Sequence, residues 1–135
     1  MEYLKNKGAK VVIGDSPGGQ YNKSHLDHIY KITKMNETGA ELNYNFNIKN
    51  TLNNKALFLK NFDYTSYIDD FDFKINFCKL KTHAMMKMSA SVKNLYGTIP
   101  GLIKSEYHYR FPNHDDFANM LIDLNEYFKF DLNIV

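Results

Sequence analysis

Residues 71–83, FDFKINFCKLKTH, set the reading of this chain. Phe71–Phe77 reads as a buried strand, and the strand itself is placed over Asp72–Phe77. The segment after it is cationic and rich in hydroxyl groups. It runs on as KLKTHAMMKMSASVKNLYGTIPG (79–101), with Lys79, Lys81, His83, Lys87 and Lys93 among Thr82, Ser89, Ser91 and Asn94 and no acidic residue. A basic turn at the carboxyl end of a buried strand is where an α/β protein binds an anionic ligand. The segment points to a site and not to a reaction.

Toward the amino terminus, Ala9–Gly14 (AKVVIG) is a short apolar strand that runs into the turn Asp15–Gly19 (DSPGG). Ser24 is placed to cap a helix near 25–35, with Leu26, Ile29, Tyr30 and Thr33 on one face and Gly39 as its stop. Glu41–Ile48 alternates apolar and polar residues like a half-buried strand. The Asn/Lys run 49–55 reads as a loop, Ala56–Leu59 as a short strand, and Tyr64–Asp70 as one or two helical turns. A helix is expected over 88–96. The clearest helix is 114–128: Asn113 is placed to cap it, Phe117, Leu121, Leu124 and Phe128 form its apolar stripe, and Asp115 and Asp116 suit its first turn. Leu132–Val135 begins another strand. Strands separated by helices predict an α/β fold, a mostly parallel sheet flanked by helices, as one domain over residues 1–135. A strand that starts three residues before the last residue also predicts an incomplete domain, part of a larger one.

Composition narrows the function classes. The chain has 135 residues, 44% of them hydrophobic and 15% aromatic, enough for a single domain with a real core. A net charge of +2 argues against nucleic acid as a partner. The charges are unevenly spread, with acids at Asp63, Asp69, Asp70 and Asp72 and bases over 79–93. No run approaches the length of a membrane span, and no signal peptide opens the chain. The one cysteine, Cys78, forbids an intrachain disulfide and suits a reducing cytoplasm. It also falls short of the roughly four thiolates of an iron–sulfur cluster. The bias toward Asn, Lys, Ile and Tyr suits low-GC bacterial ancestry.

Each motif has a functional and a plain reading. The glycines of DSPGG allow positive φ and close approach of a ligand, and the turn amides could cradle a phosphate or carboxylate. This makes Asp15, Ser16 and Gly18 candidate ligand residues, although Asp15 equally suits capping its own backbone. The turn lacks the phosphate-loop and dinucleotide patterns. Along an extended KLKTH, alternation puts Lys79, Lys81 and His83 on one side. The two ammonium groups would depress the His83 pKa and favour a neutral imidazole that serves as base or ligand. His83 is therefore the catalytic candidate, with Lys79, Lys81, Thr82, Lys93 and Asn94 as binding candidates. No metal-ligand spacing stands out. Met85, Met86 and Met88 read as packing, and Cys78 as a structural thiol. Tyr107–Phe111 reads as a packed loop or a stacking surface. Asp69/Asp70 and Asp115/Asp116 read as solvated charges.

Four blocks, GAKVVIGDSPGG, INFCKLKTH, SVKNLYGTIPG and EYHYRFPNHDDFANMLIDL, resemble the domain-of-unknown-function family numbered 362. They occur in order from Gly8 to the last residues. The resemblance puts the family's motif positions on Asp15, Ser16, Pro17 and Gly18, on Lys79, Lys81, Thr82 and His83, and on Lys93, Asn94, Gly97, Pro100 and Gly101. It implies an iron–sulfur-associated neighbourhood, with ferredoxin-like modules in longer relatives and no cofactor in this chain. The combined expectation is a truncated, cytoplasmic, redox-linked domain that holds a small anionic ligand through KLKTH. The alternatives are a non-catalytic anion-binding or accessory domain, or a degenerate fragment. Expected partners are a small anion and a second copy of the chain.

Overall fold

The computed structural model describes residues 1–135. The elements run α1 (Glu2–Asn6), β1 (Val12–Ile13), α2 (Lys23–Ile32), β2 (Glu41–Leu42), β3 (Ile48–Leu52), β4 (Asn61–Thr65), β5 (Ile75–Phe77), β6 (Lys81–His83), β7 (Lys87–Ser89), α3 (Ser91–Asn94), α4 (Ile103–Arg110), α5 (His114–Phe128) and β8 (Leu132–Ile134). Short 3-10 segments cover Met35–Glu37, Ser66–Asp70 and Leu95–Thr98.

Helix and strand are mixed, but the mostly parallel sheet does not form. Four separate two-stranded sheets take its place. Two are parallel pairs joined through helices: β1 with β2 across α2, and β5 with β8 across α3, α4 and α5. The other two are antiparallel, β3 with β4 and β6 with β7. Both parallel pairs are only two or three residues long, too short to recruit further strands.

Local chemistry accounts for the differences between expectation and structure. The α2 helix starts earlier than Ser24 allows, because the Asn22 side chain accepts from the His25 amide and caps it. It stops at Lys34, which takes a left-handed φ of 58°, and not at Gly39. The 49–55 run, expected as a loop, supplies most of β3. The expected strand 56–59 is instead a turn, whose amides at Leu57, Phe58 and Leu59 donate to the Asp123 carboxylate on α5 at 3.2, 2.7 and 2.8 Å. The aromatic stretch 107–111, expected as a loop, mostly forms the end of α4. The α5 helix occupies the expected span, but Asn113 does not cap it: its side-chain amide donates to the Asp116 carboxylate at 3.2 Å and its oxygen takes no helix amide.

The core lies between α5, the β3–β4 hairpin and the 95–99 turn. It contains Leu59, Phe62, Tyr64, Tyr96, Ile99, Tyr107, Phe111, Phe117, Met120, Leu121 and Leu124. Aromatic edges interlock here: Phe62 meets Tyr127 at 5.0 Å and Tyr64 meets Phe128 at 5.3 Å between ring centres. One buried polar side chain, Asn76, ties β5 to its neighbours. Its amide donates to Ser91 O and Asn133 Oδ1, both at 2.8 Å, and its Oδ1 accepts from Asn94 Nδ2. That network sets α3 against β5 and so fixes one wall of a lysine-lined cavity.

Candidate functional site

The cavity, of about 480 Å³, opens between the DSPGG turn, the β6–β7 hairpin and the α3–α4 region. Four lysines line it, Lys79, Lys81, Lys93 and Lys104, with His83, His108 and a single carboxylate, Asp15. Alternation along β6 turns Lys81 and His83 to this side, with Lys79 before them. Lys79, Lys81 and Lys93 have no hydrogen-bond or ion-pair partner in the chain. The Lys93 ammonium lies 5.3 Å from the Tyr96 ring centre and 5.9 Å from that of Phe117.

The DSPGG turn forms the floor. The Asp15 carboxylate accepts from the Ser16 amide at 2.7 Å, the self-capping arrangement. Burial pushes the Asp15 carboxyl above its ordinary range, opposed by Lys104 and by that amide. Gly19 sits at φ +99°, where a glycine is required, and Gly18 O accepts from His25 Nε2 at 3.2 Å. Ser16 is 1% exposed, and its hydroxyl has no partner. That oxygen is closed off from the cavity as well, and a buried hydroxyl without a partner costs free energy. Two glycines let the turn settle. A Cβ at Gly101 would run into Gly19 O and come within 2.9 Å of Pro17 O, and one at Gly97 would sit 2.9 Å from Asp15 Oδ1.

Lys104 joins this floor to α4. Its ammonium donates to Ser16 O and, at 2.6 Å, to Ile99 O. Burial lowers its pKa to about 8, with Asp15 opposing and Lys93 adding to the fall. Lys93 is lowered too, by burial first and Lys81 second. His108 stacks on Phe117 with ring centres 4.5 Å apart and planes 6° apart, and burial and Lys93 lower its pKa.

His83 is lowered by burial first, then by Lys93, Lys81 and His108. Of the two lysines expected to depress it, Lys81 contributes and Lys79 does not; Lys93 takes the larger share, and burial outranks both. The Met86 amide donates to His83 Nδ1 at 3.1 Å. In the neutral ring Nδ1 is therefore the acceptor and Nε2 carries the proton. The imidazole is then a hydrogen-bond donor and not a free base.

Two sequence candidates are placed differently from the lysines. Thr82 lies on the other face of β6, opposite Met88 and beside Leu80 and Lys87. Asn94 borders the cavity, but its amide donates to Asn76 Oδ1 at 2.8 Å and Phe77 O at 3.4 Å, so its donors are spent on the fold. Sequence reading missed Lys104 and Ser105 as lining residues, and it named Ser89 and His108 only within wider segments. Only the position of Gly101, three residues before Lys104, hinted that α4 approaches the turn.

No three His, Cys, Asp or Glu side chains come together as a metal-ligand set. The one thiol, Cys78, is buried and donates to Ile134 O at 3.4 Å. No helix is long and apolar enough to cross a membrane.

The profile of the family described as a domain of unknown function (DUF362) matches residues 1–135, and the chain belongs to that family. It is also similar to the thylakoid-associated protein sll1697 of Synechocystis sp., at 37% identity over 67 residues. The shared stretch covers 49% of this chain and 21% of that protein, so the chain spans about a fifth of the curated relative it matches. No solved structure matches the chain.

Proposed function

We propose that this member of the DUF362 family binds a small phosphate- or carboxylate-bearing ligand in the lysine-lined cavity, without chemistry of its own. The observation that carries this is the charge balance: four lysines face one carboxylate, and three of the four have no partner. Like charges gathered in a concave, partly desolvated site are costly unless an anion joins them. His83, donating through Nε2, adds a directed hydrogen bond to that anion. The free amides of Gly18 and Gly19 add backbone donors.

The test is thermal unfolding in phosphate against chloride at matched ionic strength. Phosphate should raise the midpoint of the native chain, and Lys93→Ala should remove the rise. A phosphate response that survives in Lys93→Ala, or no response in the native chain, defeats the reading.

A second reading, in which the site moves a proton, is favoured by Asp15 and Lys104. Burial raises one pKa and lowers the other, which brings the pair toward a shared range. That reading requires turnover of a phosphorylated substrate with a pH profile altered by Lys104→Met. A redox link and an iron–sulfur partner rest on the family resemblance alone and would involve a separate module. Cytoplasmic placement and a homodimer likewise stand as proposals. Fractionation settles the first, since the cyanobacterial relative is named for thylakoids, and light scattering settles the second.

A further inference from the structure

The anion-binding reading leaves open how large an anion the cavity is built for, and the layout of its cations answers that. They stand on two walls. The hairpin wall carries Lys79, Lys81 and His83, and the helical wall carries Lys93, Lys104 and His108. Lys93 is the link between them, because it feels the Lys81 charge on one side while Lys104 feels Lys93 on the other. A single tetrahedral anion on one wall would leave the other wall's charge unanswered. It would also fill only a small part of about 480 Å³.

The count of charge agrees. One phosphoryl group brings about −1.5 to −2 at neutral pH, less than the excess of four lysines over Asp15. A second, independent feature lies on the floor. The Ser16 backbone carbonyl accepts from the Lys104 ammonium, which anchors that lysine on the DSPGG turn and not on the hairpin. The Lys104 ammonium gives two of its three protons to carbonyl oxygens and keeps one for the cavity. One anionic group can meet Lys79, Lys81 and the His83 Nε2–H. A second can meet the remaining Lys104 proton, with Lys93 between the two.

We infer that the cavity takes a ligand with two linked phosphoryl groups, held one on each wall. This rests on the anion-binding reading, and the experiment separates the two. Titration calorimetry of the whole chain, metal-free and at fixed ionic strength, compares orthophosphate, inorganic diphosphate, tripolyphosphate and ADP. Diphosphate should bind at least about tenfold tighter than orthophosphate, and tripolyphosphate should add no comparable step. Lys81→Ala, an exposed position, should lose about tenfold for diphosphate and much less for orthophosphate, with an unchanged urea midpoint as proof of folding. ADP binding as tight as diphosphate identifies an organic diphosphate, and exclusion of ADP identifies the inorganic anion; either supports two-phosphoryl recognition. Equal affinity for orthophosphate and diphosphate overturns the inference and leaves anion binding intact. So does affinity that climbs evenly with charge through tripolyphosphate. No binding by any of the four anions overturns both.

Discussion

Asp123 shows what a single residue does in this chain. It sits on the buried side of α5, 8% exposed, and its carboxylate takes three successive amides of the 57–59 turn. Replacing it with alanine leaves those donors unpaired, at about 3 kcal/mol, while Asp123→Asn keeps one acceptor oxygen and should cost less, about 1–2 kcal/mol. Urea unfolding of the two variants checks the order. Gly101 makes a second case. Its missing side chain is space filled by Gly19 O, which is backbone and cannot swing away. Gly101→Ala should therefore cost about 1–3 kcal/mol and abolish the phosphate response. Gly97→Ala presses only on the movable Asp15 carboxylate and should cost less. Among single residues, part of the site was legible. The period-2 rule placed Lys79, Lys81 and His83 together, since the segment is extended. Lys104 was not legible, because it comes from a helix without an apolar stripe whose approach depends on two glycines. Asp123 left only a faint mark, a carboxylate three positions from Met120 on a helix face that is otherwise core.

The elements were legible where burial is one-sided. The α5 stripe gave both ends of the helix because Phe117, Leu121 and Leu124 all face the core. The β3 strand escaped notice for the opposite reason: four of its five residues are exposed, so no alternation marks it. Its pairing is polar instead, with Asn50 Nδ2 donating to Asn61 Oδ1 at 2.9 Å and Asp63 Oδ1 at 2.7 Å. The parallel pairs are short and end at loops, so helix–strand alternation overstated the sheet. What holds β5, β8 and α3 together is the Asn76 side chain, 3% exposed and satisfied on both its donor and acceptor sides. Asn76→Ala should cost about 2–3 kcal/mol, since it leaves an acceptor and donors unpaired in a low-dielectric setting. Asn94→Ala removes one arm of the network and should cost about 1 kcal/mol, with diphosphate affinity held within about twofold. A large affinity loss with no stability loss would make Asn94 a ligand after all. Calorimetry and urea unfolding on the same sample separate the two.

Across the whole molecule, charge is spent unevenly, and stability should record it. Without an anion, the cavity holds lysines and histidines whose pKa values are lowered, Lys104 to about 8 and Lys93, His83 and His108 with it. The folded chain then binds those protons less tightly than the unfolded chain. Where the unfolded state carries the extra protons, stability rises with pH. For Lys104 that window runs from about 8 up to the ordinary lysine value of about 10.4. For His83 and His108 it lies around and below the ordinary histidine value of about 6.5. The tyrosines act in the other direction. Burial pushes Tyr21 and Tyr64 up to about 12 and Tyr30, Tyr67 and Tyr96 higher still. Above about pH 10 the unfolded chain ionises these phenols while the folded chain keeps them neutral, so stability falls. The thermal midpoint of the ligand-free chain should therefore climb from about pH 8 toward about 10 and then drop. Lys104→Met should flatten the climb and leave the alkaline drop in place. Diphosphate should flatten it as well, because an anion beside Lys104 raises its pKa toward the unfolded value and removes the difference on which the slope depends. A climb that persists unchanged in saturating diphosphate would mean that the anion sits away from Lys104, and the two-wall arrangement would fall with it.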